Sequence, residues 1–316
     1  MRVLVTGATG FVGRALCQDL GRRGWQVNAA VRNQARLPEG CQPRIVGDIG
    51  PNTNWTEALE GVDAVAHLAA RVHFMRERAE DPLASFRQTN VEGTLQLARA
   101  AARAGVGRFV FLSSVKALGD ASPGGPLTDA SPPNPEDPYG VSKREAETGL
   151  SELAARSGME VAILRPPLVY GPGVKGNFLS LLRLIERGVP LPLAAIANRR
   201  SLLYLGNLVD AVDLCLSHDG AAGRTFLIRD GEDLSTPALV RRLAAALGRR
   251  APLFPLPEGV LRLAAGCIGR RAAAQRLLGS LTVDDRRIRS KLDWQPPFTV
   301  DQGLAETAIW WRECIS

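Results

Sequence analysis

Cysteine is scarce in this chain, and the little there is forms no pattern. The five residues, Cys17, Cys41, Cys215, Cys267 and Cys314, are odd in number and never fall in a Cys-x-x-Cys spacing. A disulfide framework and a structural zinc site are therefore not expected. Histidine is scarcer still. His67, His73 and His218 are isolated from one another, so neither a His-rich metal cluster nor a Ser-His-Asp order is available, and no metal site is expected. Aromatic residues make up only 5% of the chain and never interleave with a basic run, which argues against nucleic-acid binding. No apolar stretch approaches the roughly 18 residues that a membrane span requires, so integral membrane contact is not expected. The chain opens directly into the apolar run Val3-Leu4-Val5 without a basic leader, which makes a signal peptide unexpected and the cytoplasm the default address.

What is present is a soluble, globular balance, with 45% hydrophobic and 22% charged residues. At 316 residues the chain suffices for about two average domains, or one large α/β domain with a cap. The formal net charge is +7, and lysine occurs only at positions 116, 143, 175 and 291, so the excess is carried by arginine. Such a charge suits anionic small molecules, nucleic acid or an anionic membrane surface as partners.

Short apolar runs alternate with helix-period segments as far as about Val169. The strand candidates are Arg2–Val5, Gln26–Val31, Pro43–Val46, Ala64–Leu68, Arg108–Leu112 and Val161–Arg165. The helix candidates are Val12–Arg23, Asn54–Leu59, Pro82–Arg103 and Tyr139–Ser157. This alternation predicts an α/β fold, a Rossmann-type doubly wound parallel sheet over residues 1–169. Residues 170–316 then read as a smaller α/β unit, interleaved with the first. It contains helices near Phe178–Arg187, Thr236–Leu247 and Pro257–Ala274, and strands near Leu202–Tyr204 and Thr225–Ile228. The basic, moderately amphipathic stretch Val260–Leu281 reads as a cap helix packed on the body, with a membrane-surface helix as the alternative.

Thr6-Gly7-Ala8-Thr9-Gly10-Phe11-Val12-Gly13 follows the first strand and opens a helix. Its three glycines permit a tight turn, close backbone approach to a pyrophosphate and close packing of helix on sheet. The helix start then offers N–H groups and a positive dipole end to phosphate. If the cofactor were NAD, the end of the second strand should carry an acid for the adenosine ribose. The chain instead reads Ala30-Val31-Arg32-Asn33, with Arg32 placed for a 2′-phosphate, so NADP is preferred and NAD possible. Asp48, next to Ile49, is the following acid at a strand end and a candidate for the adenine amine.

Tyr139 and Lys143 stand one helical turn apart on one face, after the Pro-rich loop Ser131–Pro138. A phenol with an ordinary pKa of about 10 is a poor acid–base group near neutrality unless a cation stabilises its ionised form, and Lys143 supplies one. Ser113 and Ser114 end the strand Phe109–Leu112. Either hydroxyl could polarise a carbonyl there, and Ser114 is the better placed. Asn90 falls inside a helix pattern, where it could position a backbone group or be a plain polar residue. His67, at a strand end, reads as structural, whereas His73 could face a substrate.

These residues together resemble the extended short-chain dehydrogenase/reductase family, in its nucleotide-sugar epimerase/dehydratase branch. The pieces that carry the resemblance are the Thr6–Gly13 loop, His67-Leu68-Ala69-Ala70, Asn90, Ser113-Ser114, Tyr139 with Lys143, Arg165-Pro166, Tyr170–Gly173, Asn177-Phe178 and Asn198–Ser201. The resemblance implies catalysis by Ser114, Tyr139 and Lys143. It implies cofactor contacts from Gly7, Thr9, Gly10, Phe11, Val12, Gly13, Arg32, Asp48, Ile49, Leu68, Ala69, Ala70, Asn90, Tyr139, Lys143 and Pro166. A UDP-sugar substrate would meet His73, Ser114, Lys116, Tyr139, Asn177, Arg200 and, more weakly, Arg276. A homodimer is also implied. Dehydratases of the family carry an Asp-Glu pair after the catalytic hydroxyl, where this chain has Val115-Lys116, so dehydration is not expected. The runs Ala70-Arg71-Val72-His73 and Ser113-Ser114-Val115-Lys116 most resemble a subgroup that reduces UDP-4-keto-6-deoxy-N-acetylhexosamines in surface-polysaccharide synthesis, and such a reduction is the expected reaction. A UDP-hexose or N-acetylhexosamine 4-epimerase with retained NAD is the alternative, and a non-catalytic dinucleotide sensor the reading from outside the class.

Overall fold

The computed structural model describes residues 1–72, 81–267, 269, 275 and 277–315. Six of the apolar runs pair side by side, and a seventh strand from much later in the chain completes one parallel sheet. Its members are β1 (Arg2–Thr6), β2 (Gln26–Val31), β3 (Gln42–Ile45), β4 (Ala64–His67), β5 (Arg108–Leu112), β6 (Glu160–Arg165) and β9 (Arg224–Leu227), in the order β3-β2-β1-β4-β5-β6-β9. All six pairings are parallel. A parallel sheet covered on both faces needs strands that are apolar throughout, and Val3, Leu4 and Val5 are wholly buried. Alternate side chains enter opposite layers. Val3, Val5, Ala64 and Val110 pack with Leu16, Leu20, Leu208 and Val212, whereas Leu4, Val65, Phe109 and Phe111 pack with Leu97, Ala101 and Leu150. Each such large apolar side chain contributes about 2 kcal/mol by leaving water. Strand β3 takes Pro43 because it is an edge, where one face of the backbone needs no partner.

The layers are built from α1 (Phe11–Arg22), α2 (Pro82–Arg87), α3 (Thr94–Arg103), α4 (Pro138–Ser157) and α6 (Leu205–Ser217). Two expected helices come out differently. Asn54–Leu59 forms turns only, because the Asn54 Oδ1 accepts hydrogen bonds from both the backbone N–H and the hydroxyl of Thr56, at 3.0 and 2.8 Å. Pro82–Arg103 is not one α-helix but α2 and α3 joined by a π-helical turn, Gln88–Gly93. That turn lets Asn90 reach inward and Gly93 lie against the next loop, where a Cβ would stand 2.8 Å from Ile49 Cγ2.

The remaining strands, β7 (Leu168–Tyr170), β8 (Arg200–Tyr204) and β10 (Asp233–Leu234), make a small sheet in the order β10-β8-β7. With α5 (Gly176–Glu186), α7 (Thr236–Ala246) and α8 (Glu258–Cys267) they form a second unit, followed by α9 (Arg286–Leu292) and α10 (Val300–Ile315). The chain returns to the main sheet between these pieces, since β9 pairs with β6 and α6 packs on α1. Helix α8 covers Glu258–Cys267 and contains no buried residue, although Leu261 packs on the core; of the expected remainder to Ala274, only Gly269 is among the described residues. Among the described residues no helix is long and apolar enough to cross a membrane.

Candidate active site

Strand order reverses direction beside β1, and in open parallel sheets a ligand sits in the crevice beyond the carboxyl ends of the strands there. The glycine loop fills that place. Gly7 takes a left-handed φ of 69°, and a Cβ on it would lie 2.9 Å from the Ala69 nitrogen, so the loop and the end of β4 meet backbone to backbone. A Cβ on Gly13 would fall 2.0 Å from the Gly7 oxygen. Gly10 is the N-cap of α1 and no side chain caps that helix, which leaves its first-turn N–H groups to an external anion. The Thr6 hydroxyl fastens the arrangement by accepting the N–H groups of Leu68 and Ala69 at 3.2 Å. His67 is wholly buried between the Thr6 and Thr94 hydroxyls, at 2.7 and 2.8 Å, and burial together with nearby Lys143 pushes its pKa down to about 3. It is a neutral strut. Thr9 and Gly10 are exposed, Phe11 and Val12 half-buried at the helix start, and Leu68, Ala69 and Ala70 half-buried opposite them. This cradle fits a dinucleotide, with the loop for its pyrophosphate.

Arg32 and Asp48 face each other at the ends of β2 and β3 in an exposed ion pair of 2.9 Å. Ile49, next to Asp48, is half-buried against Gly93.

The catalytic candidates converge from two elements. Asp137 caps α4 by accepting the Gly140 N–H at 2.7 Å, with Pro138 at the first helical position, so the helix starts just before Tyr139. Tyr139 and Ser114 share a hydrogen bond. Burial and then Asp137 push the phenol's pKa up, while the Ser114 bond pulls it down. Lys143 is buried, donates to the Leu112 carbonyl at 2.8 Å, and holds its ammonium 4.5 Å from the Phe111 ring centroid and 5.9 Å from that of Tyr139. Burial brings its pKa down to about 7, against an upward pull from Glu147. The two serines are separated by their partners. Ser113 is buried and donates to Glu147 Oε1 at 2.6 Å, which leaves Ser114 as the hydroxyl beside Tyr139.

Glu147 was not among the sequence candidates, and it proves central. Its carboxylate accepts Ser113 and a two-pronged bond from Arg165, at 2.8 and 2.6 Å, with both side chains buried. Its spacing of four from Lys143 on α4 was the available signal. Asn90 grips the Arg71 backbone through both amide atoms, at 2.7 and 3.0 Å, and donates to Ser142 at 2.9 Å. It thereby ties the segment after β4 to α4. Pro166 is buried, and its carbonyl accepts the Val115 N–H at 3.0 Å behind Ser114. The Lys116 ammonium lies between Asp120, at 3.0 Å, and Asp137. On the other unit, Asn177 is exposed at the start of α5, and Arg200 on β8 donates to the Gly279 carbonyl at 2.9 Å. His73 and Arg276 lie outside the described residues.

Comparison with known proteins places this geometry. The family model described as "NAD dependent epimerase/dehydratase family" matches residues 3–228. The chain belongs to that family. A UDP-glucose 4-epimerase of Vibrio cholerae is 42% identical over 309 residues, 97% of this chain and 94% of that one. An N-acetyl-α-D-glucosaminyl-diphospho-ditrans,octacis-undecaprenol 4-epimerase of Escherichia coli O157:H7 is 28% identical, covering 96% and 93%. Among solved structures, MoeE5 in complex with UDP-glucose and NAD superposes with a TM-score of 0.79 at 28% identity and full coverage of both chains. Two sequence expectations shift within this epimerase/dehydratase family. The expected preference for NADP finds no support, because MoeE5 is described with NAD. The expected reduction gives way to its alternative, because the Vibrio relative, alike over nearly its whole length, is a 4-epimerase.

Proposed function

We propose that this chain is a UDP-hexose 4-epimerase that retains NAD. The observation that carries the reading is the convergence of Ser114, Tyr139 and Lys143 beside a glycine cradle, in a chain 42% identical to a 4-epimerase. When bound, the dinucleotide supplies a hydride acceptor and donor for the sugar's C4. Tyr139 takes the proton from the C4 hydroxyl and later returns one to the keto oxygen, with Ser114 hydrogen-bonding that same oxygen. Lys143 keeps a positive charge near the phenol and has protons left to hold the nicotinamide ribose. Gly7, Thr9, Gly10, Phe11, Val12 and Gly13 would meet the pyrophosphate, Asp48 and Ile49 the adenine side, and Asn177 and Arg200 the UDP-sugar. A sugar that turns over within the site exposes the other face of C4, so one set of residues serves both half-reactions.

The deciding experiment denatures freshly purified protein, identifies any released dinucleotide, and assays UDP-galactose and UDP-N-acetylgalactosamine without added cofactor. Stoichiometric NAD and conversion to the C4 epimer are expected. An empty protein that oxidises NADPH with a 4-keto sugar sinks the epimerase. That second reading, the reductase, is favoured by one observation: no carboxylate follows β2, and Arg32 stands at its end.

The cytoplasm is the proposed location and a homodimer the proposed assembly. The dimer reading is supported by a groove of about 350 Å³ between α3 and α4, lined by Leu95, Ala102, Gly149 and Leu153 and by the charged Arg99, Arg103, Glu152 and Arg156. Light scattering on the purified protein tests it, and a monomeric mass at micromolar concentration rejects it.

A further inference from the structure

Lys116 occupies the position two residues beyond the catalytic serine, and its surroundings give it a different task from touching a sugar. Its backbone N–H donates to the Ser114 Oγ at 3.2 Å, so it belongs to the same 3-10 turn, Val115–Ala117. Its ammonium bridges Asp120, at 3.0 Å, and Asp137, and all three side chains are less than a quarter exposed. Asp137 in turn caps α4 through Gly140. The two backbones meet at the same place, because a Cβ on Gly140 would stand 2.5 Å from the Lys116 carbonyl oxygen. The Ser114 turn and the start of α4 are thus joined twice, once through the Lys116 side chain and once through backbone contact at Gly140.

We propose that Lys116 is a positioning residue that clamps the first turn of α4 to the Ser114 turn and neutralises Asp137, so that this carboxylate does not bear on the Tyr139 phenol. The proposal rests on the epimerase reading of the site. Asp137 is two residues from Tyr139 and is the charged group that opposes ionisation of its phenol. The other charges around Tyr139 come from different elements. Lys143 lies one turn on along α4, with Glu147 beyond it. Arg71 approaches from the segment after β4, with its guanidinium 5.8 Å from the Phe86 ring centroid, and that ring packs edge-on to Tyr139 at 6.2 Å. Asp120 reaches the region through Lys116. Lys143 assists the phenol directly, whereas Lys116 acts on it through Asp137. Asp137 is held at that spot by its service as N-cap, and the cap brings a negative charge to the one helix start where the chemistry opposes it. Lys116 offsets that charge.

The test is the pH dependence of kcat/KM for UDP-galactose in wild type, Lys116→Met, Lys116→Arg, Asp137→Asn and the double variant Lys116→Met/Asp137→Asn. Asparagine caps helices about as well as aspartate, so Asp137→Asn removes the charge and keeps the cap. Proton abstraction needs the ionised phenol, so the rate rises with pH along an acid limb set by Tyr139. Taking the Lys116 charge away from Asp137 moves that limb to higher pH. Lys116→Met should shift it up by roughly 0.5–1 unit, a roughly three- to tenfold loss on the limb. Lys116→Arg should hold the limb in place, and Asp137→Asn should cancel the shift in the double variant. A purely structural role would lower the unfolding midpoint and kcat of Lys116→Met without moving the limb, and that result overturns the proposal. So does a double variant that behaves like Lys116→Met alone. A wild type without epimerase turnover removes the functional reading and the proposal together, whereas wild-type turnover with an unmoved limb removes the proposal only.

Discussion

Lys143, Glu147, Arg165 and Asn90 are buried around α4, and each makes hydrogen bonds of 2.6–3.0 Å, to Leu112, Ser113, Arg71 or one another. In the second unit the side chains proposed for the sugar are presented differently. Asn177 is exposed, and helix α8 buries none of its residues. The half that would do chemistry fixes its groups on strands and helices with low-dielectric surroundings. The half that would hold the sugar offers an exposed Asn177 and a half-buried Arg200 on β8. Catalytic geometry tolerates little displacement, whereas a binding unit must admit and release its ligand.

The sharpest way to break this comparison is Tyr139→Phe. Turnover should fall by about a thousandfold while dinucleotide content after purification stays that of wild type. Retained turnover would remove the buried half from the chemistry, and loss of the dinucleotide would show that the phenol serves binding instead.

The next test compares ion pairs in the two halves. Glu147→Gln leaves Arg165 buried with its charge partner gone and should cost about 3–5 kcal/mol in denaturant titration. Glu232→Gln breaks the half-exposed pair with Arg242, in the second unit, and should cost no more than about 1 kcal/mol. Equal costs would mean that the burial contrast carries no energetic weight.

A pH series on dinucleotide-free protein sharpens the same point. Lys143 has a folded-state pKa lowered to about 7 from 10.5. Between those values the unfolded chain binds the extra proton, so stability from this group is full above pH 10.5 and is lost as pH falls through 7. Lys143→Met should remove that slope, and the variant should gain on wild type, by on the order of a few kcal/mol, as pH drops from 10 to 7. Parallel stability curves for the two proteins would show that the buried ammonium is not destabilising.

The smallest effect is expected at Arg32, whose pair with Asp48 lies in solvent. If NAD is retained, Arg32→Ala should change the NADPH/NADH affinity ratio by less than about twofold. A loss of NADPH binding on the order of tenfold would show Arg32 reading a 2′-phosphate and would return weight to the reductase.

Local pattern made much of this protein legible. The runs around Val3, Val27, Ala64, Phe109 and Val161 are apolar because parallel strands are covered twice, and their alternation with helical periods gives the doubly wound sheet. The loop from Thr6 to Gly13 announces itself because only glycine tolerates a φ of 69° against a neighbouring backbone. Tyr139 and Lys143 share a helix face by spacing alone. The π-helical turn at Gln88–Gly93 was not legible, because it follows from partners of Asn90 that lie 19 and 52 residues away. The sequence favoured Ser114 over Ser113, but the bond that occupies Ser113 was not legible, because it depends on Glu147, 34 residues further on. The clamp of Lys116 on Asp137 spans 21 residues and two elements. Periodicity and turn chemistry act between near neighbours and can be read along the chain. Which buried polar group meets which is decided only when packing removes water and leaves each group a single partner within reach.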